Sequence, residues 1–270
     1  MKHFIAKPVQ DWRRAGAALI FLAGVSCAYG TDWPSDPRAS GSAYLSPDLR
    51  SLQNDMSNSP VGLIVDKGIA LWSEQTGTAG KTCQSCHGPV ASMKKSAANF
   101  PRLSANGQQL LNLEDQIMAC QQRAGHVPIK HENEDVLALS AVLHLAAKGE
   151  VIHVAPLPHQ SVQWQARLAS GTALYMQRSG RMNLACVHCH DQNIGRHMRA
   201  DVISPGNPTG FPIYRMSWQG MGSIDRRLRA CYSGVQAIVP PAGDAVLRDL
   251  ELYLKVRANG LVMEGPSIRR

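Results

Sequence analysis

Cys83-Gln84-Ser85-Cys86-His87 and Cys186-Val187-His188-Cys189-His190 are two copies of one five-residue pattern in a chain of 270 residues. Two thiols two residues apart reach the two vinyl groups of a single haem, and the imidazole that follows swings under its iron. Structural zinc is the competing use of a Cys-x-x-Cys pair, and a redox disulfide is another. Each pair here runs straight into His, and no second pair stands at zinc-finger spacing. Cys83, Cys86, Cys186 and Cys189 are therefore read as thioether anchors of two covalently bound haem c groups, with His87 and His190 as proximal iron ligands.

Working outward from the two motifs exposes a repeat. At an offset of 103, Gly68-Ile69-Ala70-Leu71-Trp72 aligns with Gly171-Thr172-Ala173-Leu174-Tyr175, and Gly77 with Gly180. At an offset of 111, Phe100-Pro101 meets Phe211-Pro212, Ala119-Cys120 meets Ala230-Cys231, and Leu143 and Gly149 meet Leu254 and Gly260. The change of offset places an insertion in Asp201 to Pro212, where prolines and glycines signal a loop. Each copy reads as a helix, the haem motif, a loop, a short helix ending near a lone cysteine, and a last helix. The last helices are expected over Glu134 to Lys148 and Asp244 to Ala258, with Gly149 and Gly260 as stops. No alternating strand pattern is visible. The expected fold class is all-α, with two tandem class I-like cytochrome c domains related by internal duplication.

The first thirty residues carry a basic start, an apolar run from Ala15 to Val25 and small residues Ala28 and Gly30, which reads as a signal peptide. The apolar run is too short to span a bilayer and nothing comparable follows, so no membrane span is expected. The resulting division is a signal peptide over 1–30, an N-terminal extension over 31–60, a first cytochrome c domain over 61–152, a linker over 153–161 and a second cytochrome c domain over 162–270. A short helix around Leu49 to Met56 belongs to the extension, which is expected to wrap the first domain or contact a partner. The formal charge of +8 falls to +5 once four basic residues and Asp11 leave with the signal peptide. Haem propionates lower it further, and no basic patch is interleaved with aromatics, so nucleic acid is not an expected partner.

Two cysteines remain outside the motifs and the signal peptide. Cys120 lies 33 residues after His87 and Cys231 lies 41 after His190, at matched places where the chain returns over each haem. Thiolate ligation of both irons is the preferred reading and would lower both potentials. Met118, Met216 and Met221 are alternative ligands, and a Cys120–Cys231 disulfide is a second alternative. The copies differ four residues before each cysteine, where Gln116 stands in the first and Arg227 in the second. A guanidinium one helical turn from a thiol favours the thiolate and offers a planar fork to an oxyanion, so the second copy reads as the site of an anionic substrate. Arg226 and Arg229 add positive charge, and a solvated basic helix face is the alternative.

Two Cys-x-x-Cys-His motifs, each followed by a lone cysteine at this distance, together with Arg227-Leu228-Arg229-Ala230-Cys231 and Leu52-Gln53-Asn54-Asp55, resemble the SoxA subunits of the SoxAX cytochromes of bacterial thiosulfate oxidation. The resemblance covers essentially the whole mature chain. It implies a periplasmic heterodimer with the small cytochrome SoxX, acting as an L-cysteine S-thiosulfotransferase. Such an enzyme joins thiosulfate oxidatively to a cysteine of the SoxY component of the SoxYZ carrier and passes two electrons to cytochrome c. Carried over by residue, His87 and Cys120 would hold the first iron, His190 and Cys231 the second. Cys231 would also be the persulfide-bearing cysteine, and Arg227 would contact substrate. A dihaem thiosulfate dehydrogenase forming tetrathionate and a plain dihaem electron carrier are the competing functions. The intact mass of the mature protein should exceed that of its polypeptide by two haems, about 1.2 kDa. A one-haem mass would sink the reading of one of the motifs.

Overall fold

The computed structural model describes residues 33–74, 78–126 and 129–270. The expected signal peptide lies outside the described residues, as does Gly77. Nine α-helices carry the described chain: α1 Pro47–Asn54, α2 Pro60–Ser73, α3 Cys83–His87, α4 Leu113–Arg123, α5 Glu134–Ala146, α6 Ser161–Met176, α7 Cys186–His190, α8 Ile224–Gly234 and α9 Ala245–Arg257. Local sequence explains where they begin. Ser59, Asn112, Asn133, Ser223 and Asp244 each turn a side-chain oxygen onto a free N–H of the first turn of α2, α4, α5, α8 and α9. Asn112 and Asp115 close a reciprocal box at the start of α4. The two long C-terminal helices of the sequence reading are present, ending one or two residues earlier than expected.

Between the helices run short strands, which the expectation of an all-α chain left out. They are β1 Arg102–Leu103, β2 Leu110–Leu111, β3 His197–Met198, β4 Asp201–Val202, β5 Ile213–Arg215, β6 Gly220–Gly222 and β7 Ser267–Arg269. β1 pairs with β2 and β3 with β4, while β5 lies between an antiparallel β6 and a parallel β7. Runs of two or three residues are too short to show the period-two alternation by which strands are recognised. The fold is mostly α.

Two helix pairs organise the interior. α2 packs on α5 and α6 on α9. In each pair a glycine sits where the backbones touch: a Cβ at Gly68 would overlap the carbonyl oxygen of Ala138, and one at Gly171 that of Asp249. From Trp33 onward the chain packs into one compact unit. One apolar core gathers Val61, Val65, Trp72, Leu139 and Val142 with Trp164, Leu252, Met263 and Ile268, and a second gathers Tyr175, Ile224, Leu228, Leu247 and Leu250.

A buried charge set ties the two cysteine-bearing helices together. Arg248 of α9 donates to Asp115 in the first turn of α4, with its second contact at 2.8 Å, and to Asp225 in the first turn of α8 at 2.5 Å. Glu251 of α9 lies 3.8 Å from Arg248 and accepts from Asn112 Nδ2 at 3.1 Å. Burial pushes the Asp115 carboxyl up, and the His131 and Arg248 hydrogen bonds more than reverse this, holding it at about 2. Burial pushes the Glu251 carboxyl up against the pull of Arg248.

The N-terminal extension follows a course the sequence did not reveal. Its hydrogen bonds run to the other end of the chain: Arg38 donates to the carbonyls of Arg257 and Asn259 at 3.1 and 2.8 Å, Ser40 donates to Glu264 at 2.6 Å, and Gln53 accepts from Arg269 at 2.7 Å. The expected short helix is α1, displaced by two residues.

Arg248→Met should cost about 3–5 kcal/mol, because it strands two buried carboxylates, and urea unfolding of the haem-loaded protein would measure it. Asp115 supplies a pH signature. Its carboxyl is depressed in the fold, so its contribution of about 2 kcal/mol is complete above about pH 5 and is lost as pH falls through about 2. Asp115→Asn should therefore be destabilising at pH 6, with the difference from wild type shrinking toward pH 2.

Candidate active site

The single-turn helix α7 is fixed at its start by the Ala185 N–H, which donates to His188 Nδ1 at 2.8 Å. In α3 the same place is held by reciprocal bonds between Thr82 and Ser85, at 2.8 and 3.0 Å. Each turn therefore presents its two cysteines and terminal histidine from a pinned backbone. Behind them the preceding helix is anchored too: Trp72 Nε1 donates to the Gly88 carbonyl at 2.9 Å, and the Tyr175 hydroxyl donates to Asp191 at 2.8 Å.

His190 has its orientation set by its partner. Nδ1 lies 2.7 Å from the Ser204 carbonyl, which can only accept, so Nδ1 donates to it and the ring is held in one orientation. Gly206, at φ +77°, packs under the ring, where an added Cβ would stand 3.1 Å from Nδ1. The ring also stands near the Cys231 thiol. Burial pushes that thiol up, and Arg227, the His190 hydrogen bond and Arg215 outweigh it, bringing the group down to about 7. Burial and the nearby Cys231 push Cys186 up to about 11, and both act in the same direction on Cys189. Cys186, Cys189, His190, Arg227 and Cys231 thus share one place.

The first motif has a related arrangement with different electrostatics. Burial and Cys120 raise the Cys83 thiol. Cys120 accepts from Gln116 Nε2 at 3.4 Å, as the helical spacing implies, and from Arg123 at 3.0 Å. Cys86 is exposed. Arg123, one turn after the cysteine, was missed by a reading that looked only one turn before it. Arg215, on β5, had no sequence signal, since it lies 16 residues from Cys231 on an unforeseen strand.

The expected basic cluster divides by role. Arg226 lies over the Trp218 ring at 4.4 Å and donates to the Met221 carbonyl, and Arg229 donates to the Pro240 carbonyl at 2.9 Å. Among the three, Arg227 is the one that acts on the thiol. Cys120 and Cys231 are not joined in a disulfide. Met221 is buried in the main core and Met118 packs against it.

These residues fit haem c. A histidine oriented through Nδ1 and a thiol of lowered pKa stand near two cysteines on one turn, the donor set that covalent attachment and axial ligation require. The positive φ at Gly206 gives a test of the histidine's seat. Gly206→Ala should cost about 1–2 kcal/mol through the left-handed backbone alone and should push the His190 ring off Ser204. A thermal melt and the visible spectrum of the second haem would both register it, and an unchanged spectrum would dissociate the glycine from the ring.

A family model, the SoxA/TsdA cytochrome c domain, matches residues 67–152. The L-cysteine S-thiosulfotransferase subunit SoxA of Pseudaminobacter salicylatoxidans is 33% identical over 88% of this chain and 82% of its own. The corresponding subunit of Paracoccus pantotrophus is 30% identical over 85% and 78%. The crystal structure of SoxXA from P. pantotrophus superposes with a TM-score of 0.79 at 30% identity, covering 86% of both chains. With a cytochrome c fold, its two motifs and this extent of likeness, the chain belongs to the SoxA family, the cytochrome c subunits of L-cysteine S-thiosulfotransferase.

Proposed function

We propose that this chain is the catalytic dihaem subunit of a periplasmic SoxAX complex, coupling thiosulfate to a cysteine of the SoxY component of SoxYZ. Cys231 carries the reading: a partly buried thiol held near neutrality by Arg227 and standing beside a histidine whose Nδ1 is committed to the Ser204 carbonyl. In this reading Cys83 and Cys86, and Cys186 and Cys189, hold two haem c groups covalently. His87 with Cys120, and His190 with Cys231, are the axial pairs. Haem, when bound, would supply one-electron acceptors that pass electrons on to cytochrome c.

The chain's own residues do the rest. Cys231, as a persulfide, presents sulfur to the reaction. Arg227 neutralises charge beside it and orients the anion, which is binding energy directed at the place where charge changes. Joining thiosulfate to a carrier thiol forms one S–S bond and releases one proton and two electrons. A SoxX partner is supported by the likeness to the SoxXA structure, and export by the residue pattern of 1–30.

The division into a first cytochrome c domain over 61–152, a linker over 153–161 and a second domain over 162–270, related by duplication, belongs to the same reading. It is supported by geometry at both offsets of the repeat. Gly68 meets Ala138 and Gly171 meets Asp249, the anchors Gly88 and Asp191 follow the first offset, and the caps Asn112 and Ser223 follow the second. Cys231 disfavours the tetrathionate-forming alternative, in which one haem is typically ligated by Met or Lys. The plain electron carrier leaves its depressed thiol without use.

Arg227→Ala should lower kcat/KM for carrier-linked thiosulfate oxidation about 10- to 150-fold, the worth of one hydrogen bond to a charged group. Arg227→Lys should recover part of it. Cys231→Ala should abolish turnover, whereas Cys120→Met should raise the potential of the first haem and keep most of the activity. Near-normal turnover in Arg227→Ala would reduce the basic helix to a solvated face.

A further inference from the structure

We propose that Arg215 is a second anion-recognition residue of the Cys231 site, gripping the terminal sulfonate of thiosulfate while Arg227 serves the sulfur next to Cys231. The inference rests on the function proposed above and assigns a substrate contact to a residue outside the helix that bears the cysteine.

Three observations carry it. Arg215 leaves β5 as a largely buried side chain, 13% exposed, and its one carboxylate partner is Asp201, reached by Nη2 at 3.0 Å. Its Nε–H is buried and meets no acceptor among the described residues. Buried donors are nearly always paired, so an unused N–H on a guanidinium marks a place where an oxygen belongs. Secondly, Arg227 and Cys231 both stand close enough to act on the Arg215 guanidinium: burial and Arg227 lower its pKa, and Cys231 raises it. Two guanidiniums are brought together against their repulsion at one thiol.

Thirdly, the charges match a dianion better than a lone thiolate. Asp201 is half-exposed and engages a single Nη of Arg215, so it offsets that guanidinium only in part. A sulfonate presents three oxygens on a compact anion, and a planar fork with a free Nε–H can take one or two of them. Trp218 encloses this side: the Arg215 guanidinium lies 5.4 Å from its ring centre and that of Arg226 lies 4.4 Å away, and glycine at 222 leaves room for the ring. The arrangement predicts preference for a doubly charged sulfur oxyanion over a singly charged ion of similar size.

A haem propionate is an oxyanion of the same hydrogen-bonding chemistry, so the test separates the two. Arg215→Lys and Arg215→Gln would be prepared as the haem-loaded complex alongside Arg227→Ala. Kinetics would be measured with thiosulfate and the carrier, inhibition with sulfate and with nitrate, and the second haem's potential by redox titration. Arg215→Lys keeps the charge and loses the fork. Its potential should match wild type while KM for thiosulfate rises about 10-fold or more, and Arg215→Gln should approach 10- to 150-fold and lose the preference for sulfate over nitrate. Wild-type KM in both Arg215 variants, with Arg227→Ala impaired, overturns the inference alone. A shifted potential in Arg215→Lys at unchanged KM also overturns it and gives the residue to the propionate. Wild-type kinetics in Arg227→Ala would instead overturn the reading of the site on which the inference rests.

Discussion

Both of the cysteines outside the haem motifs stand on short helices, and one buried guanidinium holds the two helices in place. Arg248 reaches from α9 to Asp115 and Asp225, each in the first turn of a helix that bears a cysteine about a turn and a half further on. Carboxylates at those positions already suit the positive end of the helix dipole, and Arg248 fixes where that end lies. A buried ion pair of this kind contributes little net stability against an apolar alternative, but removing one member leaves charge stranded in the interior. Its value is positional: Cys120 and Cys231 are set by the same side chain.

The two cysteines are nonetheless treated differently. Around Cys120 the donors are Gln116 and an Arg123 on the exposed side of α4, where solvent screens the charge. Around Cys231 two arginines, Arg227 and the largely buried Arg215, outweigh desolvation and bring the thiol down to about 7. The same pair of residue types would have a small effect in the first setting and a large one in the second. An arginine near a thiol is therefore a weak signal until its burial is known, and this asymmetry supports assigning substrate chemistry to one site.

Elements that repeat were legible in the sequence, and elements that occur once were not. The haem motifs, the cysteines downstream of them, the glycines of the helix pairs and both last helices could be placed because each had a counterpart at a constant offset. Arg227 stood out because Gln116 occupied the matching position. β5 to β7 have no such counterpart and are too short to alternate, so Arg215 was invisible. The contact from Ser40 to Glu264 and the clamp from Asp115 to Arg248 join residues more than a hundred positions apart, and no local pattern foretells which distant charge a buried carboxylate will meet.

Gly68 and Gly171 allow helix backbones to come into direct contact in each pair, with no side chain between them. Such a crossing has almost no slack, since there is no rotamer to change and no methyl group to slide. In the dihaem reading proposed above, a scaffold with so little room to relax would hold the iron-binding side chains nearly still as an electron arrives or leaves, so the two missing side chains would bear on the rate of transfer as well as on packing.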